Sequence, residues 1–209
     1  MAARIEHLTL SGVFSLDGED HEVENNVWLI GDDREVILVD APHALPPLVD
    51  AIDGRRVEAI ICTHAHNDHI TVAPELGEQT DTPVLLHPFD RVLWDMTHPR
   101  TPPTGLLAHG DVLHVAGTAV EVVHTPGHSP GGVCLVVPEL GVVLSGDTLF
   151  QGGPGATGRS YSDFPTILQS IRDRLLTLPP STRVLPGHGA ETTIGAEAGS
   201  WDEWVRRGH

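Results

Sequence analysis

The sequence predicts an α+β fold in which two β-sheets form the core and helices cover them. Three observations support this prediction. The first half of the chain reads as strand, helix, strand, and the second half repeats the strand-rich pattern and finishes in a helix. Two runs, EVILVD (35–40) and VEAIIC (57–62), are almost continuously apolar, which is typical of strands covered on both faces.

Four strands are predicted in the first half, each bounded by turn residues. Residues 44–52 have helical spacing, and because proline cannot continue a helical hydrogen-bond ladder, we expect the helix to begin after Pro46 and Pro47. The turn Asp53-Gly54 then leads into the fourth strand. The four strands are IEHLTLSGVFSL (5–16), NVWLIGD (26–32), EVILVD (35–40) and VEAIICT (57–63).

The second half contains five predicted strands and one well-marked helix. Apolar residues recur at helical spacing from Phe164 to Leu178, with Ser162 or Asp163 as the N-cap and Pro179-Pro180 as the stop. No linker-like stretch divides the chain, so a single domain spanning residues 1–209 is expected. The strands are TPVLLH (82–87), DVLHV (111–115), TAVEVVHT (118–125), GGVCLVV (131–137) and GVVLSGD (141–147).

Charge and composition limit the classes of partner. The formal net charge is −17, and all 12 basic residues are arginine, so the chain repels nucleic acid and anionic membranes. The N-terminus lacks a cationic start followed by an apolar run, which predicts a cytoplasmic protein that acts on a small molecule. The oligomeric state is left open. Cys62 and Cys134 lie in apolar runs and are interpreted as small buried residues without chemistry.

The segment THAHNDH (63–69) carries three histidines and an aspartate in six positions. A shuffled chain of this composition would contain that spacing with a probability of only roughly 0.005. Residues of metal-ligand type also follow four different apolar strands, whose ends can converge at the edge of a sheet. These residues are His64, His66, Asp68, His69, His128, Asp147 and His188.

The number of candidate ligands favours two ions. A catalytic zinc takes about three protein ligands and a water, so five histidines and two aspartates can serve two neighbouring ions if one carboxylate bridges them. The ligand set contains no thiolate and suits zinc, iron or manganese without choosing among them. We expect two zinc ions, with iron or manganese as alternatives. The other nine histidines, including His124, lack this context and are interpreted as surface or structural residues.

Four motifs resemble the successive metal-binding motifs of the metallo-β-lactamase superfamily. Their residues are most similar to those of single-domain glyoxalase II-like thioester hydrolases of the hydroxyacylglutathione hydrolase type. The resemblance implies a four-layer αβ/βα sandwich. It also implies that His64, His66 and His128 bind one metal ion. The motifs are THAHNDH (63–69), TPGHSPGG (125–132), SGDTLF (145–150) and LPGHG (185–189).

By the same resemblance, Asp68, His69 and His188 would bind the second ion, and Asp147 would bridge the two. Asp40 would orient a ligand rather than bind metal itself. Asp68 is also the residue that we expect to act in catalysis.

Hydrolysis is the reaction class expected of such a site, because two divalent ions hold hydroxide near neutral pH and polarise a carbonyl. A thioester is well suited, since a thiol leaves as thiolate without a strong general acid. In the glyoxalase II pattern, Arg159 and Tyr161 of GRSYS would contact the thiol. The alternatives are a persulfide dioxygenase with one iron, a lactonase and a non-enzymatic metal-binding or sensor protein.

Two departures from the glyoxalase II pattern argue against glutathione as the thiol. Ala190 stands where the family has an aromatic residue, and only 21 residues follow His188, too few for the helical domain that completes a glutathione site. The chain also lacks lysine, the usual clamp for a carboxylate. These features favour a less charged thiol such as mycothiol. Residues 87–105, rich in proline, are interpreted either as a lid or as an irregular connection packed by Trp94.

Overall fold

Two six-stranded sheets form the centre of the protein in the computed structural model, which describes residues 2–208. In the first sheet the strands lie in chain order. They are β1 (Arg4–Leu16), β2 (Glu19–Gly31), β3 (Glu35–Val39), β4 (Arg56–Ile61), β5 (Val84–Leu86) and β6 (Gly105–Leu106). His209, one of the nine histidines assigned no metal role, lies outside the described residues.

The second sheet is built from the C-terminal half. Its strands are β7 (Val112–Val115), β8 (Thr118–His124), β9 (Val133–Val137), β10 (Val142–Gly146), β13 (Arg183–Pro186) and β14 (Thr192–Thr193), and a separate hairpin pairs β11 (Leu149–Phe150) with β12 (Gly153–Pro154). The order across the second sheet is β14-β13-β10-β9-β8-β7. The β10–β13 pair is parallel, so both strands end at the same edge.

Helices cover the outer faces of both sheets. They are α1 (Leu45–Ile52), α2 (Asn67–Ile70), α3 (Ala73–Thr80), α4 (Arg91–Thr97), α5 (Phe164–Ser170), α6 (Ile194–Ala198) and α7 (Trp201–Arg207). A 3₁₀ turn at Pro88–Asp90 precedes α4, another lies at Pro138–Leu140, and a π-helical turn at Ile171–Leu175 continues α5. No helix among residues 2–208 combines the length and apolarity needed to cross a membrane.

Side chains alternate between two layers of core along the buried strands. On β3, Val36 and Leu38 pack with the helices over the first sheet, whereas Ile37 and Val39 pack against the second sheet. On β9, Cys134 faces the helices over the second sheet. The alternation follows from the period of two in a β-strand. It confirms the helix-covered strands expected from the continuous apolar runs and the four-layer αβ/βα sandwich that the family resemblance implied.

The boundaries of two helices differ from the sequence prediction. The first begins at Leu45, with Pro46 and Pro47 inside its first turn. Proline is tolerated at these positions because the amides of the first turn donate no hydrogen bond within the helix, so the amide hydrogen that proline lacks is not needed. The helix after Asp163 has the predicted N-cap, whose carboxylate accepts from the Thr166 amide, but it passes into a π-helical turn over Ile171–Leu175.

Residues 87–105 pack against the first sheet. Leu93 and Trp94 are buried, and the Trp94 indole donates to the Thr101 carbonyl at 2.7 Å. Trp94 therefore packs the segment as one interpretation expected, but the segment is not irregular, since it contains the 3₁₀ turn and α4. A role as a lid stays a prediction. Cys62 and Cys134 are buried free cysteines, as predicted.

Candidate metal centre

The loops at the strand ends bring all seven predicted ligands to one place. His64 and His66 follow β4, and α2, which begins directly after His66, carries Asp68 and His69. The remaining three ligands come from the second sheet, after β8, β10 and β13. They are His128, Asp147 and His188.

The first group consists of His64, His66 and His128, whose ligand atoms lie within 4.8 Å of one another. His66 Nδ1 is 3.0 Å from His64 Nε2 and 3.0 Å from His128 Nε2. In two of the rings, the nitrogen that faces away from the group has a hydrogen-bond partner. His64 Nδ1 lies 3.1 Å from Thr63 Oγ1, and His128 Nδ1 donates to the Ala156 carbonyl at 2.8 Å. These contacts leave the Nε2 lone pairs of His64 and His128 directed into the group.

The second group consists of Asp68, His69 and His188, again with ligand atoms within 4.8 Å of one another. His69 Nε2 lies 3.2 Å from His188 Nε2, which is 3.3 Å from Asp68 Oδ2. His69 Nδ1 donates to Asp40 Oδ2 at 2.8 Å, and His188 Nδ1 donates to the Glu24 carbonyl at 2.7 Å. Asp40 therefore contacts the ring of His69 on the side away from His188, and its role in orienting a ligand stays a prediction.

Asp147 lies between the two groups. Its Oδ1 is 3.5 Å from His69 Nε2, and its Oδ2 is 3.5 Å from His128 Nε2 and 3.4 Å from His188 Nε2. Gly187 makes this position possible, because a side chain there would collide with Asp147 Oδ1 and the His69 ring. The carboxylate thus faces both groups, as a bridging ligand must.

The donor set fits divalent cations. Asp68 Oδ1 and Asp147 Oδ1 are buried carboxylate oxygens without a hydrogen-bond partner among the described residues, and buried polar atoms are normally paired. Imidazole nitrogens facing one another at about 3 Å beside two such carboxylates are typical of a site for zinc, iron or manganese. His64, His66 and His128 would hold one ion, the second group another, and Asp147 both.

A sequence profile described as the metallo-beta-lactamase superfamily matches residues 22–188, a range that contains all seven ligands. The chain belongs to the metallo-β-lactamase superfamily.

The similar proteins include a probable metallo-hydrolase and a hydroxyacylglutathione hydrolase. The chain is 39% identical over 151 residues to "Probable metallo-hydrolase YqgX" of Bacillus subtilis, covering 66% of this chain and 72% of that protein. It is 30% identical over 190 residues to hydroxyacylglutathione hydrolase GloC of Haemophilus influenzae, covering 83% and 90%. The solved structure of TTHA1623 in a di-iron-bound form has a TM-score of 0.72 at 36% identity, covering 84% and 93%.

The surroundings of the site residues shift their pKa values in different directions. Burial, assisted by repulsion from His128, lowers the pKa of His66 to about 3, so its ring is neutral and able to bind a cation. Burial opposes ionisation of Asp68, but His69 and hydrogen bonds from His188 and Asn25 outweigh it and lower its pKa to about 2. Burial likewise opposes a charge on His188, yet Asp147 and Asp68 raise its pKa to about 10.

Asn25, on β2, is a site residue that the sequence interpretation missed. Its amide nitrogen donates to Asp68 Oδ2 at 3.0 Å, and its oxygen accepts from His43 Nε2 at 2.7 Å. The ring of His43 fits against Gly12, where any side chain would collide with it. The signal in the sequence was a pair of adjacent amides, Asn25 and Asn26, at the start of an apolar strand.

Arg159 lies on the rim of the centre, where it contacts the β1–β2 hairpin. Its guanidinium is 2.9 Å from His21 Nε2 and 3.3 Å from Glu19 Oε2, and it stacks over the Phe14 ring at 5.5 Å. Phe14 in turn packs edge-on against His66, with 5.1 Å between ring centroids. Tyr161, the second predicted thiol contact, is 48% exposed. Contact of these two residues with a thiol stays a prediction.

Proposed function

We propose that the protein is a binuclear metal-dependent hydrolase that cleaves the thioester of a low-molecular-weight thiol. The observation that carries the proposal is the position of Asp147 between two groups of ligands, each of which suits one divalent ion. Two ions held there would activate a water molecule and polarise the carbonyl of the substrate. Zinc is the first choice of metal, and the di-iron form of a similar structure supports iron as an alternative.

The side chains of this site have separable tasks. Asp68 is ionised because its pKa is about 2, so it cannot supply a proton to a leaving group. Its unpartnered Oδ1 can instead accept a hydrogen bond from the attacking water and orient it, which is the catalytic role that we assign to it. Asn25 holds the other oxygen of the same carboxylate and fixes its direction.

A thioester suits a site without a general acid, because a thiol of pKa about 8.5 leaves as the thiolate. The similarity to hydroxyacylglutathione hydrolase GloC supports the same substrate class. Arg159 would bind the thiol portion. The Arg159 guanidinium already forms an ion pair with Glu19, so it has less positive charge to offer a carboxylate of the substrate. This favours a thiol with fewer carboxylates than glutathione, such as mycothiol.

Metal analysis combined with a substrate panel tests the proposal. Protein reconstituted with Zn²⁺, Fe²⁺ or Mn²⁺ should carry two ions and release free thiol from thioesters faster than it hydrolyses lactones or a β-lactam. Asp147→Asn serves as the control for background hydrolysis. Oxygen uptake with a persulfide at one iron per chain would support the dioxygenase alternative, and lactone hydrolysis alone would support the lactonase. Full metal loading without any turnover would refute the proposal.

A further inference from the structure

Asp90 is a fully buried carboxylate in a segment that supplies no metal ligand. It ends the 3₁₀ turn at Pro88–Asp90, which connects β5 to α4. Its Oδ2 accepts hydrogen bonds from the Ala65 amide at 2.8 Å and the Ser129 hydroxyl at 2.9 Å, and its Oδ1 accepts from the Gly131 amide. All three surrounding groups act as donors, which is the environment that an ionised carboxylate requires when buried.

The three donors belong to the two loops that carry the first group of ligands. Ala65 lies between His64 and His66 in the loop after β4, and Ser129 directly follows His128 in the loop after β8. One loop leaves the first sheet and the other lies between strands of the second sheet. A single carboxylate therefore ties together the two backbones that must approach for these histidine nitrogens to meet.

Asp90 itself has little freedom to move. Its amide donates to the His87 carbonyl at 3.0 Å, and Leu93 and Trp94 anchor the following helix in the core. The backbone of Gly131 lies very close to Asp90. A Cβ atom added to Gly131 would lie 2.6 Å from the backbone nitrogen of Asp90 and 2.9 Å from the Cβ of Asp90. The carboxylate thus forms a rigid spacer between the loops.

We propose that Asp90 is a positioning residue for the first group, setting the separation of His64 and His66 from His128. The proposal rests on the assignment of that group as a metal site, but it does not depend on a thioester as substrate. Groups that orient metal ligands typically contribute 10- to 100-fold to metal affinity. The second group has its own supports in Asp40 and Asn25, so the contribution of Asp90 should fall on one of the two ions.

The test is Asp90→Asn, which preserves the shape of the side chain but replaces one acceptor oxygen with a donor. At least one of the three donors around it then loses its partner. We expect Zn²⁺ affinity to fall about 10- to 100-fold in a His188→Ala background, where the first group is intact. In a His128→Ala background, which leaves the second group intact, it should change less than about threefold. Competition with a chromophoric chelator measures both values without reference to activity.

Asp95→Asn is the matched control, because it makes the same substitution on the exposed face of α4, where Arg91 is the ion-pair partner of Asp95 among residues 2–208. It should leave both affinities unchanged. Ser129→Ala removes one of the three donors and retains the carboxylate, so it provides a milder second variant that should weaken the first group in the same direction by several-fold.

Three results would overturn the proposal: an unchanged affinity of the first group in Asp90→Asn, an equal loss at both groups that follows a lowered melting temperature, or a loss confined to the second group. If Asp90→Asn fails to fold, the selective effect of Ser129→Ala decides the question. A first-group loss in that variant supports the proposal, and no loss refutes it.

Discussion

Asp40→Asn should weaken metal binding at the second group and largely spare the first. Asp40 adopts a left-handed backbone conformation, with φ at 64°. Asparagine tolerates this conformation better than alanine does, so the substitution tests the side chain rather than the backbone. Oδ1 would still accept from the Thr63 amide, at present 2.7 Å away. The new amide nitrogen would replace Oδ2, which now accepts from Thr63 Oγ1 and His69 Nδ1.

The size of the effect follows from the tautomer of His69. A donor in place of Oδ2 faces the Nδ1–H of His69, so the ring must either lose this hydrogen bond or move its proton to Nε2, the atom that faces the metal. A hydrogen bond to a charged partner contributes about 1.5 to 3 kcal/mol, which corresponds to a loss of about 10- to 150-fold in affinity. Thr63 Oγ1 can still accept from His64 Nδ1, so the first group should change less than about threefold.

The chelator competition described for Asp90 measures this effect, with His128→Ala and His188→Ala backgrounds separating the two groups. Asp40→Asn and Asp90→Asn should then give opposite selectivities, whereas Asp147→Asn should weaken both groups more than either of them. A second-group affinity unchanged by Asp40→Asn would show that His69 keeps its tautomer without Asp40. Equal losses from Asp40→Asn and Asp147→Asn would remove the distinction between orienting residue and bridge.

Three further predictions concern loading, acid stability and the thiol. Elemental analysis should find two ions per fully reconstituted chain and fewer in His69→Ala; one ion in both proteins would exclude a binuclear centre. Burial, with the nearby ring of His124, lowers the pKa of His87 to about 4. As the pH falls, His87 therefore takes up a proton in the unfolded chain before it does so in the folded protein. The free energy of unfolding should then decrease between about pH 6.5 and about pH 4, by at most about 1.4 kcal/mol per pH unit. Denaturant unfolding of His87→Gln should show a shallower pH slope than the natural chain, and parallel slopes would exclude this contribution. Arg159→Ala should keep its metal content but lose about one to two decades in kcat/KM for thioesters of large polar thiols, with little effect on a minimal thioester; a uniform loss would place Arg159 outside the thiol site.

The candidate ligands could be identified from sequence because each is a histidine or aspartate that follows an apolar strand within a few residues. His128 and His188, 60 residues apart, needed only the rule that strand ends meet at a sheet edge. The metal motifs and the continuous apolar runs together predicted the layered fold. Most of the strands were predicted for the same reason, since their apolar residues mark them without any knowledge of distant partners.

The parts that escaped prediction depend on partners that no local pattern reveals. Asp90 meets Ser129 across 39 positions of sequence, and an aspartate in a proline-rich stretch reads as an exposed turn. The first half of β2, from Glu19 to Glu24, is polar and mostly exposed, so nothing apolar marks it as a strand. Pairing with β1 along its whole length forms it instead. Helix α3 contributes only Ala73, Leu76 and Gly77 to the interior, which is too few for a periodic signal.

The first group takes His64 and His66 from a loop of one sheet and His128 from a loop of the other. A cation held by all three would act as a removable cross-link between segments more than 60 residues apart, closing a loop that the unfolded chain leaves open. Its contribution to folding grows with the supply of free metal and reaches about 2.7 kcal/mol at a hundredfold excess over the dissociation constant. Starving a cell of metal would therefore shorten the lifetime of this chain against proteolysis as well as stop its chemistry, coupling its abundance to metal availability.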